Sequence, residues 1–315
     1  MPIGVAAGYT QKSYNNSAGL EQIIPLLFYT ETKKLYRDEL LMNQITNHDY
    51  VGGLNESGDE VTIPSTPVIN NFDYVKGMEM PMTSTVHPAP TTFKVNKAKA
   101  WFTFMDHIDI RQSHIKDWLP RYAEAAKVDL KTTIETDFLG SIFTEAHVQN
   151  KGLTAGRKSG NISLGTIAAP FAVTATNIIT QGVLKMNQVM DEQNAPRDGG
   201  RYVVGPAWFT QMLKASLINK ANEMGDEKSV IRSGYVGTID QTHIYMSNLT
   251  AKEAGVNKWH IIFGHKAAIT HVDNLSKVVM LSPERYFADA IKGLLVYDWK
   301  SLQPTLLGEM VVAET

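Results

Sequence analysis

Hydrophobic residues recur at helical spacing over residues 118–143, where Tyr122, Ala126, Leu130, Ile134, Phe138 and Ile142 stand four apart. Each four-residue step drifts about 40° from a straight stripe, so the apolar face is broad and slowly spiralling. Pro120 suits a first turn. At about 1.5 Å per residue the helix is a rod of about 39 Å. Lys131 and Glu135 form an i,i+4 pair expected on its wet side, worth tenths of a kcal/mol. A second amphipathic helix is predicted over 176–193, with Ile178, Ile179, Val183, Met186 and Met190 inward. A third opens at Pro206 and runs through Trp208, Met212, Leu213 and Leu217. Near the start, residues 1–20 are small and polar and read as a draped arm. Residues 21–43 then show helical spacing, with Pro25 in the first turn and 30–34 dividing the run into two short helices.

Strand patterns fill the remainder. The turn Asn194-Ala195-Pro196-Arg197-Asp198-Gly199-Gly200 feeds a short strand over 201–204, and another is predicted over 243–246. Residues 258–313 read mostly as strands, at 259–263, 277–281, 290–297 and 306–312, expected to return and pack on the long helix. The chain thus visits one domain, leaves for a second and comes back.

Residues 50–107 follow neither pattern. Gly52, Gly53, Gly58, Pro64, Pro67, Gly77, Pro81, Pro88 and Pro90 exclude a helix of useful length. Two strand-like pieces bracket the run, 60–63 going out and 93–105 coming back. A two-stranded arm of this kind is marginal alone in water. With few large apolar residues to make a core, it is expected to lie on a neighbouring copy of the chain.

The 315 residues suit one large or two modest domains. A net charge of −2 argues against a nucleic-acid-binding domain. The absence of cysteine excludes disulfides, zinc-thiolate sites and cysteine nucleophiles. No apolar window is long enough to span a bilayer, and Met1-Pro2-Ile3-Gly4 lacks a signal-peptide pattern and reads as a natural translation start.

Several motifs carry a family resemblance by their order. Asp49-Tyr50-Val51 leads to Gly58-Asp59-Glu60-Val61-Thr62-Ile63-Pro64, a glycine turn before a strand. The stretch 104–112, with Asp106, Ile108, Asp109 and Gln112, leads into the long helix. Arg201-Tyr202-Val203-Val204-Gly205-Pro206 precedes a helix, and Gly234-Tyr235-Val236-Gly237-Thr238-Ile239 precedes Ile244-Tyr245-Met246-Ser247-Asn248. In this order over residues 20–315, the chain resembles the major capsid proteins of tailed bacteriophages, the Hong Kong 97-like fold. The resemblance implies an α+β fold: an N-terminal arm with short helices (1–49), an extended loop (50–107), a spine helix with a peripheral sheet (108–172), an axial α/β lobe (173–252) and returning peripheral strands (253–315).

It also implies a structural protein rather than an enzyme. Copies assemble as pentamers and hexamers into an icosahedral head, enclosing double-stranded DNA without sequence-specific binding. Its place is the virion, with assembly in the host cytoplasm and no membrane. Portal and decoration proteins are the further partners implied. Fewer than 20 residues precede the first predicted helix, which implies a separate scaffolding protein or none. An encapsulin-like compartment shell shares the fold and is the alternative. An α/β enzyme with a site around residues 199–206 is a third reading.

No catalytic constellation, cofactor site or metal site is expected. Asp106, His107, Asp109 and His114 read as strand-end groups and helix caps, and His260, His265 and His271 lack ligand spacing. Gly152-Leu153-Thr154-Ala155-Gly156-Arg157-Lys158-Ser159-Gly160 lacks the ending of a phosphate loop. Lys94, Lys97 and Lys99 lie in a run without acids, while Asp59 and Glu60 lie on the outgoing strand. These five are the candidate subunit-contact residues, with charge pairing inside one hairpin as the simpler reading. No motif transfers the lysine–asparagine crosslink found in some capsids of the family.

Overall fold

The structure, a computed structural model, describes residues 41–48, 60–63, 73–79, 91–112, 118–224 and 238–313. The expectations for residues 1–40, for Asp59, for His114 and for residues 234–237 lie outside them. In chain order the elements begin with α1 (Leu41–Ile45), β1 (Glu60–Ile63), β2 (Thr91–Lys94), β3 (Lys97–Asp106), α2 (His107–Gln112) and α3 (Trp118–Ser141). There follow β4 (Phe171–Ala172), α4 (Leu184–Glu192), β5 (Arg201–Gly205), α5 (Ala207–Met224), β6 (Thr238–Ile239) and β7 (Thr242–Met246). The chain closes with β8 (Lys258–His265), β9 (Ile269–Leu281), β10 (Ala288–Ser301) and β11 (Leu307–Ala313). No helix among the described residues is long and apolar enough to cross a membrane.

The long helix forms where the four-residue spacing places it. Its 24 residues make a rod of about 36 Å. Leu130, Ile134, Phe138 and Ile142 are buried, whereas Tyr122 and Val128 stand exposed, so only the C-terminal half of the stripe meets the core. Glu135 is not on the wet side. It is 5% exposed and accepts the Leu41 backbone N–H at 2.6 Å, which ties α1 to α3. The spiralling face explains the error: Glu135 follows Ile134 into the contact made by α1, which local spacing does not reveal.

The returning half of the arm is also divided. β1 and β2 pair antiparallel as a hairpin, with Val61 opposite Phe93 and Ile63 opposite Thr91. Val95 and Asn96 then break the strand, and β3 pairs over its whole length with β10. β3, β10 and β9 make a three-stranded antiparallel sheet in that order. Its inner face packs on α3, where Phe138 meets Trp299 edge-on and the Tyr297 phenol donates to Asp137 at 2.9 Å. Gly293 sits under the Trp101 indole, where a Cβ would overlap the ring.

A second, mixed sheet has six strands in the order β4-β11-β8-β5-β7-β6. β5 is buried along its whole length and parallel to β7, the two linked through α5. All four strands expected after residue 258 are present, but they do not return together to the long helix. β9 and β10 do so, while β8 and β11 join β5. Strand period alone fixes which residues face inward and leaves the choice of sheet open. The helix expected over 176–193 begins with a π-turn, Ile178–Val183, in which the Leu184 N–H reaches the Ile179 carbonyl. Its five predicted inward residues are all buried. One continuous apolar core joins Ile134 and Phe138 through Leu295 to Val203 and Met310.

Candidate functional site

The base of the arm is where the candidate contact residues gather. Within the hairpin, Glu60 stands directly opposite Lys94 in register. The pairing of opposite charges inside one hairpin therefore has its geometry at that position. Lys97 and Lys99 turn elsewhere. They share the inner face of β3, and the Lys97 ammonium lies 3.4 Å from the centroid of a Trp299 ring, a cation–π contact. Lys99 Nζ is 4.0 Å from Asp137, with both side chains 43% exposed, so that ion pair adds little stability. Sequence reasoning placed the two lysines in a common run but missed Trp299 and Asp137, whose approach depends on β10 and α3 packing together.

Two further bonds fasten the arm to β10. The Lys300 ammonium donates to the Thr92 carbonyl at 2.8 Å, and the Asn96 N–H donates to Asp298 at 3.0 Å. Phe93 is buried beside them in the chain. Farther out, residues 73–79 turn through Gly77, whose φ of +90° suits glycine, and the Met78 N–H donates to the Val75 carbonyl. Tyr74, Val75 and Met78 are all exposed there. The arm is thus held at its base and carries apolar side chains uncovered at this turn.

Other candidate chemistry resolves into structural bonding. Asp106 accepts the Ile108 N–H at the start of α2, the helix-cap role expected of it. His107 lies 3.4 Å from Asp289. His260 is buried, with Nδ1 against Glu309 and its ring stacked on Phe143. His265 Nε2 meets Asp198 at 2.8 Å while Nδ1 accepts the Ala267 N–H, and His271 packs on His48. Among the described residues no three His, Asp or Glu side chains are placed to hold a metal ion.

The loop over 152–160 does cradle an anion, and the anion belongs to the chain. The backbone N–H groups of Lys158 and Ser159 donate to Glu192 at 2.8 and 3.0 Å. Burial raises the Glu192 pKa, and the bonds from Ser159, Lys158 and Gln188 more than offset it, leaving the carboxyl below its ordinary range. Around residues 199–206, where an enzyme site was weighed, Arg201 is buried and holds the preceding turn. It bonds Asp191 at 2.8 Å and the carbonyls of Ala195 and Pro196. Hydrogen bonding from Arg197, then from Arg201, keeps Asp191 below the usual carboxylate range despite some burial.

No family model matches the chain, and no curated protein matches its sequence. Solved structures do match. One from Mycobacterium phage Che8 has a TM-score of 0.59 at 18% identity, covering 97% of this chain and 96% of that one. A chain in the asymmetric unit of the bacteriophage PhiM1 mature capsid has a TM-score of 0.62 at 13% identity, covering 100% and 93%. A chain of a virus-like particle from Pyrococcus furiosus has a TM-score of 0.50 at 9% identity, covering 94% and 100%. The resemblance read from the order of motifs holds at the level of architecture: from end to end, the chain has the fold of phage capsid proteins.

Proposed function

We propose that this chain is the major capsid protein of a tailed bacteriophage. Many copies close as pentamers and hexamers into an icosahedral head around double-stranded DNA. Its role is structural and not catalytic. The observation that carries the reading is the likeness of fold over almost the whole chain, from α1 and the arm to β11. The anatomy supports it. An arm fastened at its base, with Tyr74, Val75 and Met78 uncovered at its turn, is suited to lie on a neighbouring copy. In this proposal residues 50–107 reach across to that neighbour, residues 173–252 form the axial lobe, and Lys94, Lys97, Lys99, Asp59 and Glu60 lie near the contact. A separate scaffolding protein, a portal and decoration proteins are the partners it allows, with assembly in the host cytoplasm.

Negative-stain microscopy of the purified protein tests the proposal. Closed shells, pentamers or hexamers are expected, and monomers under every condition of concentration and salt would sink it. The likeness to the Pyrococcus furiosus particle favours one second reading, an encapsulin-like compartment shell. Particle contents separate the two: nuclease-protected double-stranded DNA for the head, a cargo protein for the compartment.

A further inference from the structure

We infer that the outer face of the β3–β10–β9 sheet is a contact surface for a second copy of this chain, met by a different surface of that copy. The inference rests on the shell reading and names where a neighbour sits. Register places Phe104 opposite Ala290, Phe102 opposite Lys292 and Ala100 opposite Leu294, all on the face turned away from α3. The same face continues through Leu281 and Val279 on β9. Phe102 is 53%, Phe104 60% and Leu294 40% exposed, and the two phenyl rings stand side by side with centroids 6.2 Å apart. β3 is also an edge of its sheet, and no strand among the described residues pairs with its far side. Ten residues of edge strand carrying two uncovered aromatic rings form a ready template for association.

Two magnitudes select the occupant. At about 200 Å² per phenylalanine, Phe102, Phe104 and Leu294 together offer on the order of 300 Å² of open apolar surface. A stable pairwise interface needs about 800 Å² from each partner. The face is therefore too small to hold a lasting dimer and suits an assembly in which each copy makes several weak contacts at once. Charge settles the orientation. Lys292 and, by register, Lys277 lie on this face. Two such faces pressed together would set like charges against each other, so the contact is heterologous, the kind that closes rings.

The chain contains no cysteine, which makes a single introduced thiol a clean reporter. Phe104→Cys is labelled with a maleimide in the free subunit and in assembled particles. The expected result is labelling at least tenfold slower in particles than in subunits. Equal rates in the two forms overturn the inference while leaving the shell reading intact. Failure of the parent chain to form particles at all removes both. A second variant, Phe102→Ser with Phe104→Ser, checks the same surface. It should keep the parental circular dichroism and melting temperature and lose at least tenfold in particle yield. Parental yield from a folded double variant counts against the contact, and if that variant does not fold, the labelling rates decide.

Discussion

Phe138 on α3 meets Trp299 on β10 edge-on, with ring centroids 5.4 Å apart and planes at 86°. This contact fastens the three-stranded sheet to the long helix, and both rings belong to the continuous core. Phe138→Ala removes the ring from a site with no solvent exposure and should cost about 3–5 kcal/mol, read from urea unfolding. Ile134→Asp, one turn earlier and equally buried, should prevent folding, since it places an unpaired carboxylate in the core. A soluble Ile134→Asp protein with the parental melting temperature would show that the helix faces another way.

Glu135 gives a pH test. Burial, the largest influence, raises its pKa above the ordinary 4.5, against lowering by the Leu41 N–H and by Lys131. A carboxyl with a raised folded pKa favours the folded state most below its unfolded pKa and loses that contribution as pH rises through the folded value. Glu135→Gln retains an acceptor for Leu41 without an ionising group. The stability of the glutamine variant relative to the parent should therefore rise as pH climbs from 4 toward neutrality. Melting curves of both proteins across that range decide it, and a difference that stays flat with pH rules the mechanism out.

The arm can be shortened without touching the sheet. Because Ile63 and Thr91 face each other at the far end of the β1–β2 hairpin, residues 64–90 can be replaced by a two-residue Asn-Gly turn. The shortened chain should stay folded and fail to form shells. Shells of normal size from it would deny the arm a role in assembly. A deletion reaching to Met105 would be uninformative, since it removes β3 from its ladder with β10.

Salt separates the two uses of the lysines. If Lys94, Lys97 and Lys99 bridge copies, their contacts are screened over about 8 Å at physiological ionic strength. Replacing all three with glutamine should then weaken assembly most at low salt and little at 1 M, on the scale of the about 3 Å screening length there. Light scattering across salt, with circular dichroism alongside, reads the result. Unchanged assembly at every salt concentration would leave the lysines only their contacts with Trp299, Asp137 and their own hairpin.

Much of this fold was legible because its long elements are strongly periodic. The spacing from Leu130 to Ile142 and the inward set from Ile178 to Met190 both predicted burial correctly. What failed depended on distant partners. Nothing near Glu135 announces that Leu41 will bring it an N–H, and nothing within β8 or β11 says that their neighbour is β5 rather than β10. The candidate lysines show the same limit. Their clustering was visible in sequence, but Trp299 lies some two hundred residues further along the chain.

The fastening of Thr92 and Asn96 to β10 has a mechanical consequence. Tension on the arm along its strands passes across Val95 into β3, whose ten residues are all paired with β10. Such a pull runs parallel to the ladder, so its hydrogen bonds are strained together and not peeled apart one by one. β10 is braced by β9 on its other side and by α3 beneath, so the force spreads through backbone rather than through any single side chain. A container tethered by such arms would resist bursting by shear.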